Sequence, residues 1–305
     1  MAIYEGQQIE CSVIIPSYNS ARTIHDCLNS VLEQQTDLRY EVLVADSSND
    51  ATPFIIRSHY PSVRLIQFSE RTDPGTARNA AVRRAQGEIL LFTDSDCIVA
   101  PDWLEKMVQA HQQLRDCRIV GGAVVNGNPK TLASVAGYLI EFSEYMPSTA
   151  AGIVLSLPTC NISYRREIFE KYGGYTKEYY PQEDYYFHWL LVQSGEKIYF
   201  SPAIQARHFH RSSMSGYLLH NYRFGIVTAR VLKVTNLPGS FFARRPWLAP
   251  LFLPFLPFIK FVRTIKRVLR FAPTTWKRPL IFPVMFLGLL SWGIGFAKGV
   301  YSRHE

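Results

Sequence analysis

Two acidic pairs have residue types and spacing that could carry out chemistry. Asp94-Ser95-Asp96 follows an apolar run at 89–93, and its carboxylates at i and i+2 could share a divalent cation and a diphosphate bound to that cation. A solvated turn is the simpler interpretation, since Asp and Ser are common turn residues. Glu183-Asp184 opens a predicted helix, where a carboxylate could act as a general base towards a hydroxyl group. Acids in a first helical turn also interact favourably with the helix dipole alone.

Two further segments could contribute ligands. His208 and His210 lie in Arg-His-Phe-His-Arg after a predicted strand, and either imidazole could be the third ligand of a carboxylate-bound metal. Isolated histidines are nevertheless more often ordinary surface or core residues. The segment that starts at Gly75 predicts a turn entering a helix, where backbone N–H groups and Arg78 could contact phosphate. Alone, that segment indicates only a loop-to-helix junction.

The elements that must position these residues alternate along the front of the chain. We expect strands at 12–15, 41–45, 63–68 and 89–93, with helices after each of them. Each strand is apolar on both faces, which predicts an α/β fold with a mostly parallel sheet covered by helices. Active sites of such sheets lie at the carboxyl ends of the strands. These ends carry residues 16–19, Asp46 and residues 94–96, so the polar residues fall where chemistry is expected.

The composition changes near residue 243. Residues 258–272 interleave apolar and basic side chains, as in a basic amphipathic helix at a membrane surface. Residues 280–297 carry no charge over 18 positions, which meets the lower length limit for a membrane-spanning helix. We therefore divide the chain into a domain at 1–242 and a membrane-associated tail at 243–305. Whether the tail spans the bilayer, lies in its interface or forms a buried helix of the domain stays open.

The net charge of +8 is concentrated towards the tail. Residues 197–305 hold 17 of the 33 Lys and Arg residues but one acid, Glu305. Such a region could bind nucleic acid or an anionic membrane. Phe, Leu and Pro interleaved among the basic residues favour the membrane, and we expect no nucleic-acid partner.

The cysteines and the N-terminal residues bear on location. Five dispersed cysteines without CxxC spacing argue against a disulfide framework or a zinc site and suit a reducing compartment. The first eleven residues have neither a basic n-region nor an apolar h-region, so we expect no signal peptide. Together with the tail, this predicts a cytoplasmic catalytic domain at the inner (plasma) membrane.

Five segments, taken together, resemble the family 2 glycosyltransferases, which have the GT-A fold. They agree in order and spacing from about residue 11 to residue 225, and they are SVIIPSYN at 12–19, EVLVADSSND at 41–50, GTARNAAVRRAQGEILLFTDSDC at 75–97, TCNISYRR at 159–166 and GGYTKEYYPQEDYYF at 173–187. The hydrophobic end FLGLLSWGIGFAKGV at 286–300 is similar to that of membrane-bound bacterial members that build surface or lipid-linked polysaccharides.

The resemblance implies roles for individual residues. The nucleobase of the donor, usually uracil, would be held by the end of the first strand (Pro16, Tyr18, Asn19) and by Asp46. Gly75, Arg78, Asp94 and Ser95 would bind the rest of the donor.

The same resemblance implies a divalent metal, Mn²⁺ or Mg²⁺, held on the diphosphate by Asp94 and Asp96. His208 or His210 would complete the metal site, and the register between the two is open. Asp184, beside Glu183, would be the catalytic base. Leu190 departs from the pattern, because many members have arginine six residues after the base.

The implied reaction is an inverting transfer of a sugar from a nucleotide sugar, usually a UDP-sugar, to a hydroxyl of a lipid-linked or polysaccharide acceptor. Two alternatives are a nucleotidyltransferase that makes a sugar nucleotide and a non-enzymatic membrane-binding protein. A nucleotidyltransferase normally has a glycine-rich basic loop after its first strand, and residues 16–20 contain neither glycine nor a basic residue.

Overall fold

The computed structural model describes residues 8–302. Residues 1–7, on which the signal-peptide prediction largely depends, and residues 303–305, which include Glu305, lie outside the described part of the chain.

The front of the chain forms four parallel strands in the order β3-β2-β1-β4. Their bounds are β1 Cys11–Ser17, β2 Tyr40–Asp46, β3 Arg64–Gln67 and β4 Ile89–Phe92. The intervening helices are α1 Ile24–Leu32, α2 Thr52–His59 and α3 Pro74–Val82. The predicted strands are all present. Because Ser17 of β1 pairs with Asp46 of β2, the two strands end side by side.

The second half of the sheet is mixed. From β4 the order continues β8-β6-β9-β5, with β7 also pairing with β9. β8 is antiparallel to both β4 and β6, while β6 and β9 are parallel. The strand bounds are β5 Cys97–Val99, β6 Ile119–Asn126, β7 Gly152–Val154, β8 Ile162–Arg165 and β9 Ile198–His208.

Helices cover both faces of this sheet. Their bounds are α4 Trp103–Gln113, α5 Leu132–Phe142, α6 Glu167–Tyr172 and α7 Glu183–Gln193, with 3-10 turns at Thr159–Asn161 and Lys177–Tyr179. Alternate residues of β1 enter opposite cores: Val13 and Ile15 pack with α1 and α4, whereas Ile14 packs with α3 and α7. All five cysteines are buried and free.

The C-terminal part consists of helices. They are α8 Met214–Val234, α9 Ser240–Ala243, α10 Ala249–Phe252, α11 Leu256–Phe271 and α12 Ile281–Tyr301, with 3-10 turns at Pro246–Leu248 and Pro273–Lys277. Within residues 8–302, α12 is the single helix long and apolar enough to cross a bilayer unaided, and half of its apolar window is buried inside the protein.

The predicted boundary at residue 243 does not coincide with a break in packing. Helix α12 lies along α8 at such close range that a Cβ on Gly225 would lie 2.0 Å from the Trp292 carbonyl oxygen. A Cβ on Gly295 would lie 1.9 Å from the Tyr222 carbonyl oxygen. Because α8 precedes the boundary and α12 follows it, the tail helices are part of the same packed body as the end of the front domain.

Candidate active site

The ends of β1 and β2 are tied together by side-chain hydrogen bonds. Asn19, which has a positive φ of 52°, donates its backbone N–H to Ser48 Oγ at 2.7 Å and accepts one from the Asn49 N–H at 3.1 Å. The Asp46 carboxylate is buried and accepts from the Ser48 hydroxyl at 2.6 Å and from the Ser48 N–H at 3.2 Å. These contacts fix the loops that follow the two strands.

The rest of this edge is open. Tyr18 is exposed, and the Arg71 guanidinium lies over its ring, 4.6 Å from the centroid. Pro16 and Tyr18 line a cavity of about 450 Å³ that reaches the Asp94-Ser95-Asp96 loop. The Ser95 hydroxyl itself is bonded to that of Ser20 at 2.7 Å, so it anchors the loop on α1's N-terminal turn.

Arg78 joins the two acidic pairs. Its Nη2 donates to Asp94 Oδ1 at 2.6 Å and its Nη1 donates to Glu183 Oε1 at 3.1 Å. Burial would lower the pKa of Arg78, but the neighbouring Asp94 and Glu183 carboxylates outweigh it and raise the pKa above its ordinary value. The sequence predicts that Arg78 contacts phosphate, and the structure holds its side chain between two carboxylates. Arg78 also lines the cavity of about 450 Å³ that Pro16 and Tyr18 line.

Gly75 lies in the first turn of α3, where Asp73 caps the Thr76 N–H. A Cβ at Gly75 would lie 2.9 Å from Glu183 Cγ and 2.9 Å from Tyr175 Cβ. The phosphate contact of Gly75 stays a prediction. The glycine lets Glu183 and Tyr175 approach the helix, and it is not among the residues that line the cavity.

The two histidines have different environments. His208, the last residue of β9, lies opposite Cys97 and places Nε2 3.6 Å from Asp96 Oδ1. His210 is buried against Tyr138 and Phe142, and burial together with His208 lowers its pKa to about 3. Only His208 faces a carboxylate of the predicted metal site at this range.

The carboxylates at the start of α7 are shielded from water. Burial, reinforced by the Asp184 charge, raises the pKa of Glu183 to about 7. Burial also raises the pKa of Asp184, although Arg78 opposes this and the Tyr185 N–H donates to Oδ1 at 2.7 Å. A carboxylate that is hard to keep ionised accepts a proton more readily than an exposed one does, as a general base requires.

Asp184 lines a second cavity, of about 410 Å³. Asp94 lines both cavities, Asp96 lines the first, and His208 lines the second. The acidic loop after β4 therefore contributes to the walls of two ligand-sized cavities.

Sequence reasoning missed one wall of the second cavity. Lys260, Thr264 and Arg267 of α11 and Trp292 of α12 line it opposite Asp184. The spacing 260, 264, 267 is that of one helical face, and a buried threonine among basic residues could have indicated that this face is covered. The sequence around 260–267 does not show what this face covers, because Asp184 lies more than 70 residues earlier in the chain.

The sheet, its acidic loop and the two adjoining cavities define a GT-A fold. Residues 12–173, more than half of the chain, match the family described as Glycosyl transferase family 2. The chain belongs to this family and is a glycosyltransferase.

Solved structures share the architecture. The mannosyltransferase PcManGT from Pyrobaculum calidifontis, solved with GDP-Man and Mn²⁺, gives a TM-score of 0.63 at 20% identity and covers 97% of this chain and 88% of its own. TarS from S. aureus, solved with UDP, gives a TM-score of 0.55 at 19% identity, with coverages of 95% and 90%. At these identities the likeness establishes the fold alone.

Relatives in sequence vary in the extent of the match. Glycosyltransferase AglE of Haloferax volcanii is 27% identical over 249 residues, which is 80% of this chain and 81% of AglE. The uncharacterized glycosyltransferase YfnE of Bacillus subtilis is 37% identical over 116 residues, which is 37% of this chain but only 30% of the length of YfnE.

Proposed function

We propose that the protein transfers a sugar from a UDP-sugar to a hydroxyl group of a lipid-linked or polysaccharide acceptor, with inversion at the anomeric carbon. The observation that carries this proposal is the position of Asp94 between two cavities. One cavity is lined by residues from the end of β1 and from α3, and the other contains Asp184. A donor in the first and an acceptor in the second would meet at the acidic loop.

The residues at this junction fit a divalent cation. Ligand atoms of Asp96, Cys97 and His208 lie within 4.8 Å of one another. Burial keeps the pKa of the Cys97 thiol well above its usual range, so the ionisable ligands in practice are one carboxylate and one imidazole, which suit Mn²⁺ or Mg²⁺ completed by phosphate oxygens. The Mn²⁺ in the PcManGT structure supports the assignment. We propose Asp96 and His208 as direct ligands and Asp94, already bonded to Arg78, as a ligand through water.

The reaction needs few groups. Asp184 takes the proton of the acceptor hydroxyl as its oxygen forms a bond to the anomeric carbon, and the bond from that carbon to the donor diphosphate breaks. A divalent cation held by Asp96 and His208 would supply positive charge to neutralise the departing diphosphate. Arg78 holds Asp94 and Glu183 in place, and Pro16, Tyr18, Asn19 and Asp46 are proposed to hold the nucleobase.

The names of relatives support the acceptor class. One relative, from Methanococcus voltae, is named as a glucuronosyltransferase that acts on a dolichyl N-acetyl-alpha-D-glucosaminyl phosphate, and one from Rhizobium meliloti as a succinoglycan biosynthesis protein. The first matches 24% over 73% of this chain and the second 31% over 53%. The first name gives a lipid-linked acceptor and the second the synthesis of a polysaccharide, and both support the proposed acceptor class.

We further propose that the enzyme works at the cytoplasmic face of the plasma membrane and lies in the interface without crossing it. Apolar side chains that point outward from the turn at 246–248, α10 and α11 form what we call the apolar ridge, which comprises Trp247, Leu251, Phe255, Phe258 and Ile259. Basic residues alternate with it further along α11, as in an in-plane helix. Helix α8 carries Arg223, Arg230 and Lys233, and charged side chains are costly inside a bilayer. If α12 crossed the membrane, it would therefore have to separate from α8.

The experiment that tests the proposed reaction is a donor screen. Release of UDP and GDP from a panel of nucleotide sugars is measured with Mn²⁺, with EDTA and with the Asp96→Ala variant. We expect metal-dependent release from a UDP-sugar, lost in Asp96→Ala. His208→Ala should raise the Mn²⁺ concentration for half-maximal rate more than His210→Ala does. Undiminished turnover in excess EDTA would contradict the metal assignment.

A further inference from the structure

The cavity that contains Asp184 has charged groups on its walls. Its acids are satisfied within the protein. The pairs are Asp94 with Arg78, Glu141 with His220 at 2.9 Å, and Glu144 with Arg267 at 2.5 Å, while Asp184 accepts the Tyr185 N–H. Asp94 and Glu144 are thus each paired with an arginine, and Glu141 with a histidine, before any ligand enters.

Lys260 differs from these residues. Its Nζ lies over the Trp292 ring, 4.1 Å from the centroid, and among residues 8–302 no carboxylate forms an ion pair with it and no oxygen accepts a hydrogen bond from it. Burial and the neighbouring Arg263 lower the pKa of Lys260 to about 8, while Glu141 and Glu144 oppose that shift. At neutral pH an ammonium group therefore stays charged in a partly desolvated cavity, with three donors and only a ring face as partner.

An ammonium group in that position suits an anionic ligand. Arg267, about two turns further along α11, lines the same cavity but is paired with Glu144, whereas Arg211 has no ion pair in the described chain. Glycan hydroxyls alone would leave the Lys260 ammonium without a counter-ion. A phosphate ester presents several acceptor oxygens and would satisfy the Lys260 donors directly.

The surroundings of Lys260 indicate the rest of the ligand. The two residues before it, Phe258 and Ile259, are 58% and 51% exposed and belong to the apolar ridge. A ligand whose phosphate reaches Lys260 could therefore continue along an apolar surface outside the cavity. Within the proposed glycosyltransferase function, we propose that this cavity binds a phosphorylated lipid acceptor, with Lys260 in direct contact with its phosphate and the hydroxyl that reacts facing Asp184.

The first test measures binding. The full chain, saturated with UDP and Mn²⁺ to occupy the donor side, is titrated with farnesyl phosphate, farnesol and inorganic phosphate while tryptophan fluorescence is recorded. Because Lys260 lies over Trp292, we expect farnesyl phosphate to change the emission and Trp292→Phe to remove most of that change. Farnesol should bind more weakly than farnesyl phosphate. Inorganic phosphate binding as tightly as farnesyl phosphate would overturn the lipid assignment.

The second test is a variant pair. Lys260→Gln should weaken farnesyl phosphate binding about tenfold or more while leaving farnesol binding the same, because only the charge-assisted contact is lost. Lys260→Arg, which keeps the charge, should recover most of the affinity. The matched control is Lys298→Gln, since Lys298 also lies over an aromatic ring, that of Tyr222, but is exposed and outside the cavity.

Three outcomes contradict the inference. The first is an equal loss of farnesyl phosphate affinity in Lys260→Gln and Lys298→Gln, and the second is no loss of that affinity in Lys260→Gln. The third is binding of a glucuronic acid disaccharide that Lys260→Gln weakens as strongly as it weakens farnesyl phosphate binding. UDP release from nucleotide sugars in water is measured separately. A protein that releases no UDP but binds farnesyl phosphate through Lys260 refutes the transferase proposal and keeps the lipid site, whereas the reverse pattern refutes the lipid site alone.

Discussion

Arg78 controls the charge of the carboxylates around it. It is buried, it bonds to Asp94 and Glu183, and its field lowers the pKa of Asp184, whereas burial raises the pKa of both residues at the start of α7. Without this guanidinium, three carboxylates would meet in a space with little water to solvate them. The arginine thus allows an acidic metal loop and an acidic base to coexist in one site.

Asp184→Asn is expected to abolish turnover while UDP affinity stays within about twofold, because a general base acts only as the hydroxyl loses its proton. Isotherms for UDP with Mn²⁺ and rates of sugar transfer to acceptor give the two quantities. Glu183→Gln is the matched comparison, since it changes the adjacent carboxyl and leaves the base. If Glu183→Gln were the more damaging change, or if Asp184→Asn lost UDP affinity in step with rate, Asp184 would not be the base.

The rate should also depend on pH through these carboxyls. Turnover requires ionised Asp184, whose pKa is raised, so kcat should increase with pH along an ascending limb above the ordinary range of aspartate. Arg78→Gln removes the positive charge that opposes this shift, and the limb should move upward by about one pH unit or more. The pair titrates together, so the measured values belong to Glu183 and Asp184 jointly.

The matched control for this pH profile is Arg83→Gln, on an exposed residue directly after α3. Its profile should coincide with that of the unaltered protein. A limb that moves equally in both variants, or that stays in place in Arg78→Gln, would contradict the role given to Arg78.

The candidate functional residues could be predicted from the sequence where the pattern that marks them is local. Asp94 and Asp96 follow a strand, and Glu183 and Asp184 open a helix, so each pair is visible in a few neighbouring residues. The bond between Arg78 and Glu183 spans 105 positions, and it depends on α3 and α7 packing on the same face of the sheet. That is why the sequence indicated a phosphate contact for Arg78, and the structure shows an ion pair with two carboxylates.

At the scale of elements, the contact between α8 and α12 is made by glycines. Gly225 and Gly295 admit the backbone of the opposite helix, and the Tyr217 hydroxyl, which would lie 1.9 Å from a Cβ at Gly288, donates to the Val284 carbonyl oxygen at 3.1 Å. Glycine in a helix costs about 1 kcal/mol relative to alanine. Here that cost is offset by the close packing that it permits.

Gly225→Val should therefore destabilise the protein, by about 1–3 kcal/mol or more, because the added atoms meet the Trp292 carbonyl and the backbone there cannot rotate away as a side chain could. Thermal unfolding with and without UDP measures the change. Gly137→Ala in α5 is the control, since its Cβ would have its nearest neighbour, in Tyr217, at 3.7 Å. That variant should be neutral or slightly more stable, and equal losses in both variants would rule out close helix contact as the cause.

The elements themselves were largely predictable from the sequence. The four front strands are short continuous apolar runs, and the helix at 258–272 shows the period of an amphipathic helix. The short strand β5 could not be foreseen, because three residues directly after the acidic loop become a strand only by pairing with β9. That pairing brings His208 to Asp96, and the local sequence alone left the choice between His208 and His210 open, with only the spacing of the family resemblance favouring His208.

At the scale of the whole molecule, the tail helices serve two surfaces. Their inner side covers α8 and closes the cavity opposite Asp184, and their outer side carries the apolar ridge. Removing residues after 242 would expose the buried faces of α8 and α5, so we expect an insoluble product instead of the separable domain that the composition change indicated. The sequence could reveal the amphipathic character of the tail but not the identity of the surface that its inner face covers.

The apolar ridge is the part of the molecule whose change should weaken membrane binding and leave UDP release in solution unaltered. Trp247 and Phe255 are 75% and 60% exposed, and neither lines a cavity described above. Trp247→Glu combined with Phe255→Glu replaces two apolar contacts by two charges that an anionic leaflet repels. We expect the fraction bound to sedimenting vesicles containing anionic lipid to fall about tenfold or more. UDP release in solution should be unchanged.

Phe54→Glu provides the matched control, because Phe54 is 68% exposed on α2 of the front domain and lies among none of the tail helices. Vesicle binding by that variant should equal that of the unaltered protein. For an interfacial protein, high salt should release part of the bound material, since the five exposed basic residues from Arg263 to Arg278 each contribute on the order of 1 kcal/mol of attraction that salt screens. A spanning helix would behave differently. If the double variant stayed with the vesicles through high salt and left only in detergent, α12 would have to cross the bilayer, and its packing along α8 would have to be given up when it does so.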